Sequence, residues 1–284
     1  MALDLPTFFT RLGSAIIFSI IMMVGLLWNE WAFLALASAI MALCLREFFK
    51  LIHKIYNPEH KNGWIMWSVL SISMGLLASV FIFLFRPVDE VWGKGLLAAS
   101  VVMLTISLLK TLLQRNEVLS LSSLHFFSLG YITVSILMFV YLRYLSLCIP
   151  LALILMIWMN DTMAYLVGSF IGKTPFSKIS PKKTWEGTAG GAILTLAGAA
   201  VWGYFSPYYQ MVDWMMLALC ASVAGTAGDL FESKLKRIAE VKDSGTMMPG
   251  HGGALDRFDS LLISTPFAFA YASIFMTPVP VVIF

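Results

Sequence analysis

Residues Trp64 to Phe85 read WIMWSVLSISMGLLASVFIFLF, with no charged side chain from end to end. A helix needs about 20 largely apolar residues to cross the hydrocarbon of a bilayer, and this stretch meets that length. A buried strand is shorter, and a surface helix of a soluble protein carries a polar face that is missing here. Comparable runs lie near 12–28, 31–47, 95–113, 124–142, 147–168, 187–206, 214–231 and 260–278, so nine spans are expected. The whole chain agrees with this reading. Of its 284 residues, 59% are hydrophobic and 12% charged, and the mean hydropathy is +0.84. Soluble domains carry about 25% charged residues, and this chain has too little charge to cover a water-soluble globule. The same balance excludes a disordered, collagen-like or nucleic-acid-binding chain. The expected fold is all-α: a polytopic integral membrane helix bundle of about nine transmembrane helices.

Two of the runs need comment. Arg11 precedes an apolar run from Leu12 to Trp28 that is longer than the core of a signal peptide, so it reads as a retained span. Arg46 and Glu47 cut the second run short. Beyond them Phe48, Phe49, Ile52 and Tyr56 keep helical spacing opposite Lys50, His53 and Lys54, which predicts an interfacial extension of that helix. Cys44, Cys148 and Cys220 are far apart and lie in or beside apolar runs. They read as small buried side chains rather than as a disulfide or a metal set.

Lysine and arginine placement gives the orientation. With the N-terminus in the cytoplasm, Arg11, Arg46, Lys50, Lys54, Lys61, Lys110 and Arg115 fall inside. So do Lys173, Lys178, Lys182, Lys183, Lys234, Lys236, Arg237, Lys242 and Arg257, leaving Arg86, Lys94 and Arg143 outside. The expected topology is N-in/C-out. Polar residues also divide the chain into two parts, residues 1–150 as scaffold helices and residues 151–284 as the helices and cytoplasmic loops that form the site.

The polar stretch from Glu232 to Asp259 sets Lys234, Lys236, Arg237, Lys242 and Arg257 against Glu232, Glu240, Asp243, Asp256 and Asp259. A segment that only adheres to anionic lipid would be one-sided. Asp229 closes an otherwise uncharged run, at a depth where a carboxylate is costly unless paired or metal-bound. If the helix continues, Glu232, Ser233, Lys236 and Arg237 follow on one face. A divalent ion on Asp229, with phosphates on Lys236 and Arg237, would offset that cost. Glycines around His251, among them Gly252 and Gly253, permit close backbone approach to an anion. Asp256 and Asp259 share a face if the last helix begins there.

Upstream, Asn160 and Asp161 interrupt the sixth span. Asp161 is a functional candidate, while Asn160 also suits a hydrogen bond between packed helices. The next loop carries Lys173, Lys178, Lys182 and Lys183. Positive-inside bias alone would explain those lysines, but not the compact Ser180-Pro181-Lys182-Lys183-Thr184-x-Glu186-Gly187, whose turns can aim ammonium groups at a phosphate. His53, His60 and His125 stand singly. No P-loop, HExxH or GxSxG pattern is present.

Taken together, these blocks resemble the hallmark of the CDP-diacylglycerol synthases, also called phosphatidate cytidylyltransferases. The resemblance rests on Ser233-x-Leu235-Lys236-Arg237, Lys242-Asp243-x-Gly245 and Pro249-Gly250-His251-Gly252-Gly253-x-x-Asp256-Arg257-Phe258-Asp259. Asn160-Asp161-x-x-Ala164-Tyr165-x-x-Gly168 and the Ser180–Gly187 block are similar to that family's other motifs, in the same order. Met248 and Ala254 depart from the usual pattern, and neither carries a charge or a donor. The DGxxAR…GxxxD…D pattern of the CDP-alcohol phosphotransferases is absent.

The resemblance implies that CTP and phosphatidate condense to CDP-diacylglycerol and pyrophosphate with Mg2+. By the same analogy Asp229 and Asp256 hold the metal, in a one- or two-cation site, in an enzyme of a bacterial inner membrane whose active site faces the cytoplasm. It implies catalytic roles for Asp229, Asp256, Lys236, Arg237, Lys242 and His251. Substrate contacts fall to Asp161, Lys182, Lys183, Ser233, Asp243, Gly252, Gly253 and Arg257, with Asp161 either a metal ligand or the group that orients a lysine. Partners are CTP, phosphatidate and membrane lipid, in a homodimer as is common for the family, with no nucleic acid. The rival reading is an ion-coupled secondary transporter using Asp161 and Asp229, although no inverted repeat is visible. A non-catalytic lipid-binding scaffold is the third.

Overall fold

The computed structural model describes residues 5–56, 63–86, 90–113, 127–177, 179–247 and 252–278. These form nine helices: α1 (Leu5–Leu27), α2 (Glu30–Tyr56), α3 (Gly63–Phe85), α4 (Glu90–Leu113), α5 (Leu129–Leu145), α6 (Cys148–Ile171), α7 (Trp185–Phe205), α8 (Met211–Ile238) and α9 (Leu255–Phe275). No strand occurs among the described residues, only an isolated antiparallel bridge between Pro175 and Thr184. Six stretches, Glu30–Ile55 of α2, Trp64–Phe85 of α3, Cys148–Ile171, Trp185–Phe205, Met211–Ile238 and Leu255–Phe275, are long and apolar enough to cross a membrane. Leu12–Leu27, Val91–Leu104 and Leu129–Leu145 are shorter apolar segments. The chain is an all-helical integral membrane protein.

It forms two compact units, Met1–Tyr144 with Ile238–Phe258 and Leu145–Arg237 with Asp259–Phe284. In the first unit α2 starts cleanly because the Asn29 side chain accepts the Ala32 amide at 2.8 Å, and Glu30 sits in its first turn. Phe33 packs at a tilt against Phe139, and Trp31 against Phe81. The hydroxyls of Ser73 and Thr133 meet at 2.7 Å within the unit, Thr133 belonging to a π-helical turn at Leu129–Val134. At one end of the unit Arg86 pairs with Glu30 at 3.8 Å and lies over the Trp31 ring. Arg143 reaches the Leu26 carbonyl at 3.4 Å and lies over Phe33.

The helical extension expected beyond Glu47 is present, since α2 runs to Tyr56. Phe48, Leu51 and Ile52 on its apolar face are buried in the protein, with Phe48 stacked on Phe127, while Lys50 and Lys54 are exposed. The polar stretch after the eighth span is helical at its two ends, since α8 runs on to Ile238 and α9 already starts at Leu255.

In the second unit the backbones of α6 and α7 nearly touch. A methyl at Gly187 would stand 2.7 Å from the Ala164 carbonyl, and one at Gly191 would stand 2.9 Å from that of Asn160. Small residues let membrane helices approach in this way, where dispersion rather than hydrophobic burial holds them together. The block from Asn160 to Gly168 is therefore in part a packing seam. A capping box between Gln210 and Asp213 starts α8, and Asp213 also accepts the Tyr271 hydroxyl at 2.9 Å. A π-helical turn at Cys220–Ala224 interrupts α8 before its polar end.

Candidate functional site

Thr184 caps α7, its side chain accepting the Gly187 amide at 3.1 Å. Two residues on, the Glu186 carboxylate turns back to the loop that follows α6. It takes the amides of Lys173 (3.2 Å) and Thr174 (3.1 Å) and the Thr174 hydroxyl (2.8 Å). The Phe176 amide donates to the Lys183 carbonyl at 2.7 Å, and the Lys183 amide to the Ser180 carbonyl at 3.1 Å. Pro181, with its fixed φ, thus occupies the second position of a tight turn. The order of turn, lysines, Thr and Glu is a fold of backbone that clips its own two ends together.

That turn sorts the two lysines. Lys182 is exposed. Lys183 points to α8, where its ammonium meets the Asp229 carboxylate at 2.5 Å. Asp229 also accepts the Ser233 hydroxyl, one turn on, at 3.2 Å. The helical continuation expected of this segment is present, and it places Glu232, fully buried, in an ion pair with Lys236. Lys236, read from sequence as a phosphate ligand, is held in the structure by this acid. Lys234 and Arg237 are exposed.

Asp259 joins this group, a residue to which the sequence reading gave no role of its own. It is buried, and it interacts electrostatically with Asp229, Asp161 and Lys183. α9 is seated there by contact with α8: the Ser260 hydroxyl donates to the Gly225 carbonyl at 3.0 Å, and a methyl at Gly228 would stand 2.4 Å from the Asp259 carbonyl. The signal available in the sequence was its position three residues after Asp256.

The remaining assigned residues belong to the first unit. The Oδ2 atom of Asp256 accepts the amides of Ser244 (2.9 Å) and Gly253 (2.7 Å) and lies 2.9 Å from the Ser244 hydroxyl. Gly252 has φ +82°, a conformation in which a side chain is strained. Gly253 is buried, while Lys242, Asp243 and Arg257 are exposed. His251 lies outside the described residues.

No group of three or more His, Cys, Asp or Glu able to hold a metal ion occurs among the described residues. A divalent cation here would thus take one or two carboxylates from the protein and complete its shell with phosphate and water, the usual habit of Mg2+. The neighbourhood offers carboxylates for such an ion, since Asp229, Asp161 and Lys183 all act electrostatically on Asp259 and Lys183 pairs with Asp229.

The cytidylyltransferase family is matched over residues 9–275. A Bacillus subtilis protein named phosphatidate cytidylyltransferase is 44% identical over 124 residues, which is 42% of this chain and 45% of that one. A Synechocystis protein of the same name is 42% identical over 127 residues, covering 43% of this chain and 42% of its own length. A third, from Staphylococcus haemolyticus, is 36% identical over 183 residues, 63% of this chain and 68% of that one. The matched stretch thus spans less than half the length of the first two relatives.

Proposed function

The chain belongs to the cytidylyltransferase family, and on that premise we propose that it condenses CTP with phosphatidate to give CDP-diacylglycerol and pyrophosphate. The observation that carries this reading is the Lys183–Asp229 pair on the turn of helix α8 that leads to Ser233 and Glu232. An acid and a base are held there where an apolar helix becomes polar, suited to a substrate that is half lipid and half anion.

The reaction forms a bond from a phosphatidate oxygen to the α-phosphorus of CTP and breaks the bond from that phosphorus to the oxygen bridging to the β-phosphate. The electron pair leaves with pyrophosphate. The nucleophile is already anionic and needs no general base. The barrier is the repulsion between two anions, so neutralisation and alignment are the main catalytic resource. When bound, Mg2+ supplies charge neutralisation and polarises the reacting phosphoryl group. Asp229 and Asp256 are the residues proposed to hold it, in a one- or two-cation site. Exposed Arg237, Lys242 and Arg257 bind phosphates, and His251 with Gly252 and Gly253 takes the pyrophosphate end. Lys183 and Lys182 serve the substrate anions, Ser233 and Asp243 line the site, and Asp161 either binds the cation or orients Lys183. Lys236, paired with Glu232, adds positive charge for a phosphate.

The proposed setting is nine spans, N-in/C-out, in a bacterial inner membrane, with the site on the cytoplasmic side and the protein as a homodimer. The gathering of Glu30, Arg86 and Arg143 supports the sorting of loops, since these three come from connections assigned to one and the same side. CTP then arrives from the cytosol and phosphatidate laterally from the bilayer.

Purified protein supplied with labelled CTP and phosphatidate is expected to form CDP-diacylglycerol and pyrophosphate in equal amounts, and only with a divalent cation present. Absence of both products overturns the proposal. The transporter reading of Asp161 and Asp229 has no support among the relatives, and it predicts ion flux in vesicles without either product.

A further inference from the structure

Glu47 enters the sequence as the charge that ends an apolar run. In the structure it is 6% exposed, on α2, with its carboxylate built into the segment that leads to α9. Its Oε2 accepts the Ser244 hydroxyl and the Leu255 amide, both at 2.8 Å. Two glycines make room for it: a methyl at Gly245 or at Gly253 would stand 2.2 Å from a Glu47 carboxylate oxygen. Gly253, which from sequence suited the approach of a ligand, is thus in part the fit around a protein side chain. A buried carboxylate is tolerated only where donors meet it, and here the donors come from the very segment whose shape matters.

The Ser244 hydroxyl links this acid to another. It lies 2.8 Å from Glu47 Oε2 and 2.9 Å from Asp256 Oδ2, and it has a single proton to give. The two carboxylates therefore share one donor, and the position of Ser244 is set by both. Asp256 also takes the amides of Ser244 and Gly253, two residues that are themselves packed on Glu47.

We propose that Glu47 is a positioning residue: by holding Ser244, Gly253 and Leu255 against α2, it fixes the direction of the Asp256 carboxylate. The claim rests on the reading of Asp256 given under the proposed function. It assigns to Glu47 no contact with substrate.

The test compares full-length wild type with Glu47→Ala, Glu47→Gln and Ser244→Ala in detergent or nanodiscs. Three quantities are read: amide hydrogen exchange over residues 240–258, melting temperature, and kcat and KM for CTP. Residues that orient a ligand-bearing carboxylate change activity by about 10- to 100-fold when lost. Glu47→Ala is expected to speed exchange at Ser244, Gly253 and Leu255 and to lower kcat by that factor. Glu47→Gln, which keeps one acceptor oxygen, is expected to melt near wild type and to fall between the two in kcat, and Ser244→Ala to lower kcat with little change in KM. Wild-type exchange in Glu47→Ala overturns the proposal. So does a loss of activity in both Glu47 variants that follows the fraction unfolded, with kcat per folded molecule unchanged. If wild type itself makes no CDP-diacylglycerol, the functional reading falls by itself, and the exchange data still decide whether Glu47 clamps the segment.

Discussion

At the residue scale, two lysines that are neighbours in the chain have different fates. Lys183 is drawn to Asp229, while Lys182 is exposed. Replacing Lys183 by Ala is expected to lower kcat/KM for CTP by about 10- to 100-fold, and replacing Lys182 by Ala to lower it by a smaller factor, the difference between an oriented and a more solvated substrate contact. Steady-state kinetics on both variants checks this. Lys236 poses another question, because its partner Glu232 is fully buried. Removing one member of a buried ion pair costs about 3–5 kcal/mol, so Lys236→Ala is expected to unfold more easily, and a Glu232→Gln/Lys236→Met pair to recover most of that loss. Thermal unfolding in detergent measures both. A Lys236→Ala protein as stable as wild type but weaker in substrate binding would return the residue to a phosphate role alone. Asp256→Asn retains one acceptor oxygen for the surrounding donors and removes the charge. It is expected to insert normally and to make no CDP-diacylglycerol, as read by membrane extraction and product assay.

At the scale of elements, the loop between α6 and α7 depends on how closely those helices approach. Gly187 and Gly191 allow it, and Glu186 then closes the loop on its own backbone. Gly191→Val would set its methyls against Ala164 and the Asn160 carbonyl. Overpacking of this kind costs about 1–3 kcal/mol, so a lower melting temperature and a parallel loss of activity are expected, measured on one preparation. The helical segments themselves were largely readable. Each apolar run had to satisfy its backbone internally, which in a bilayer leaves only a helix. The ends were less readable. α8 continues seven residues into charged sequence, Glu232–Ile238, with the Glu232–Lys236 pair spanning one turn of it.

At the scale of the whole molecule, the distribution of basic residues makes a topological prediction. In a chain whose Cys44, Cys148 and Cys220 have been replaced, a cysteine at Lys182 should react with a membrane-impermeant maleimide only after the cytoplasmic face is exposed. A cysteine at Lys94 should react from the opposite face in intact cells. The reverse pattern would invert the proposed orientation and place the site away from cytosolic CTP.

Composition and the rhythm of apolar runs determined, without any coordinates, that this is a helical membrane protein. Its acids and bases were also enough to mark residues 160–187 and 229–259 as chemically special. Bilayer insertion acts on each segment locally, so a one-dimensional pattern suffices to reveal it. What only the tertiary structure decided is which charges meet. Glu47 bonds to Ser244, 197 residues away, and to Leu255, 208 residues away; Asp259 acts on Asp161 and Asp229, and Lys183 rather than Lys182 finds its acid. Such pairs follow from helix packing and the paths of loops, and a hydrogen bond only about 3 Å long leaves no periodic trace in the chain.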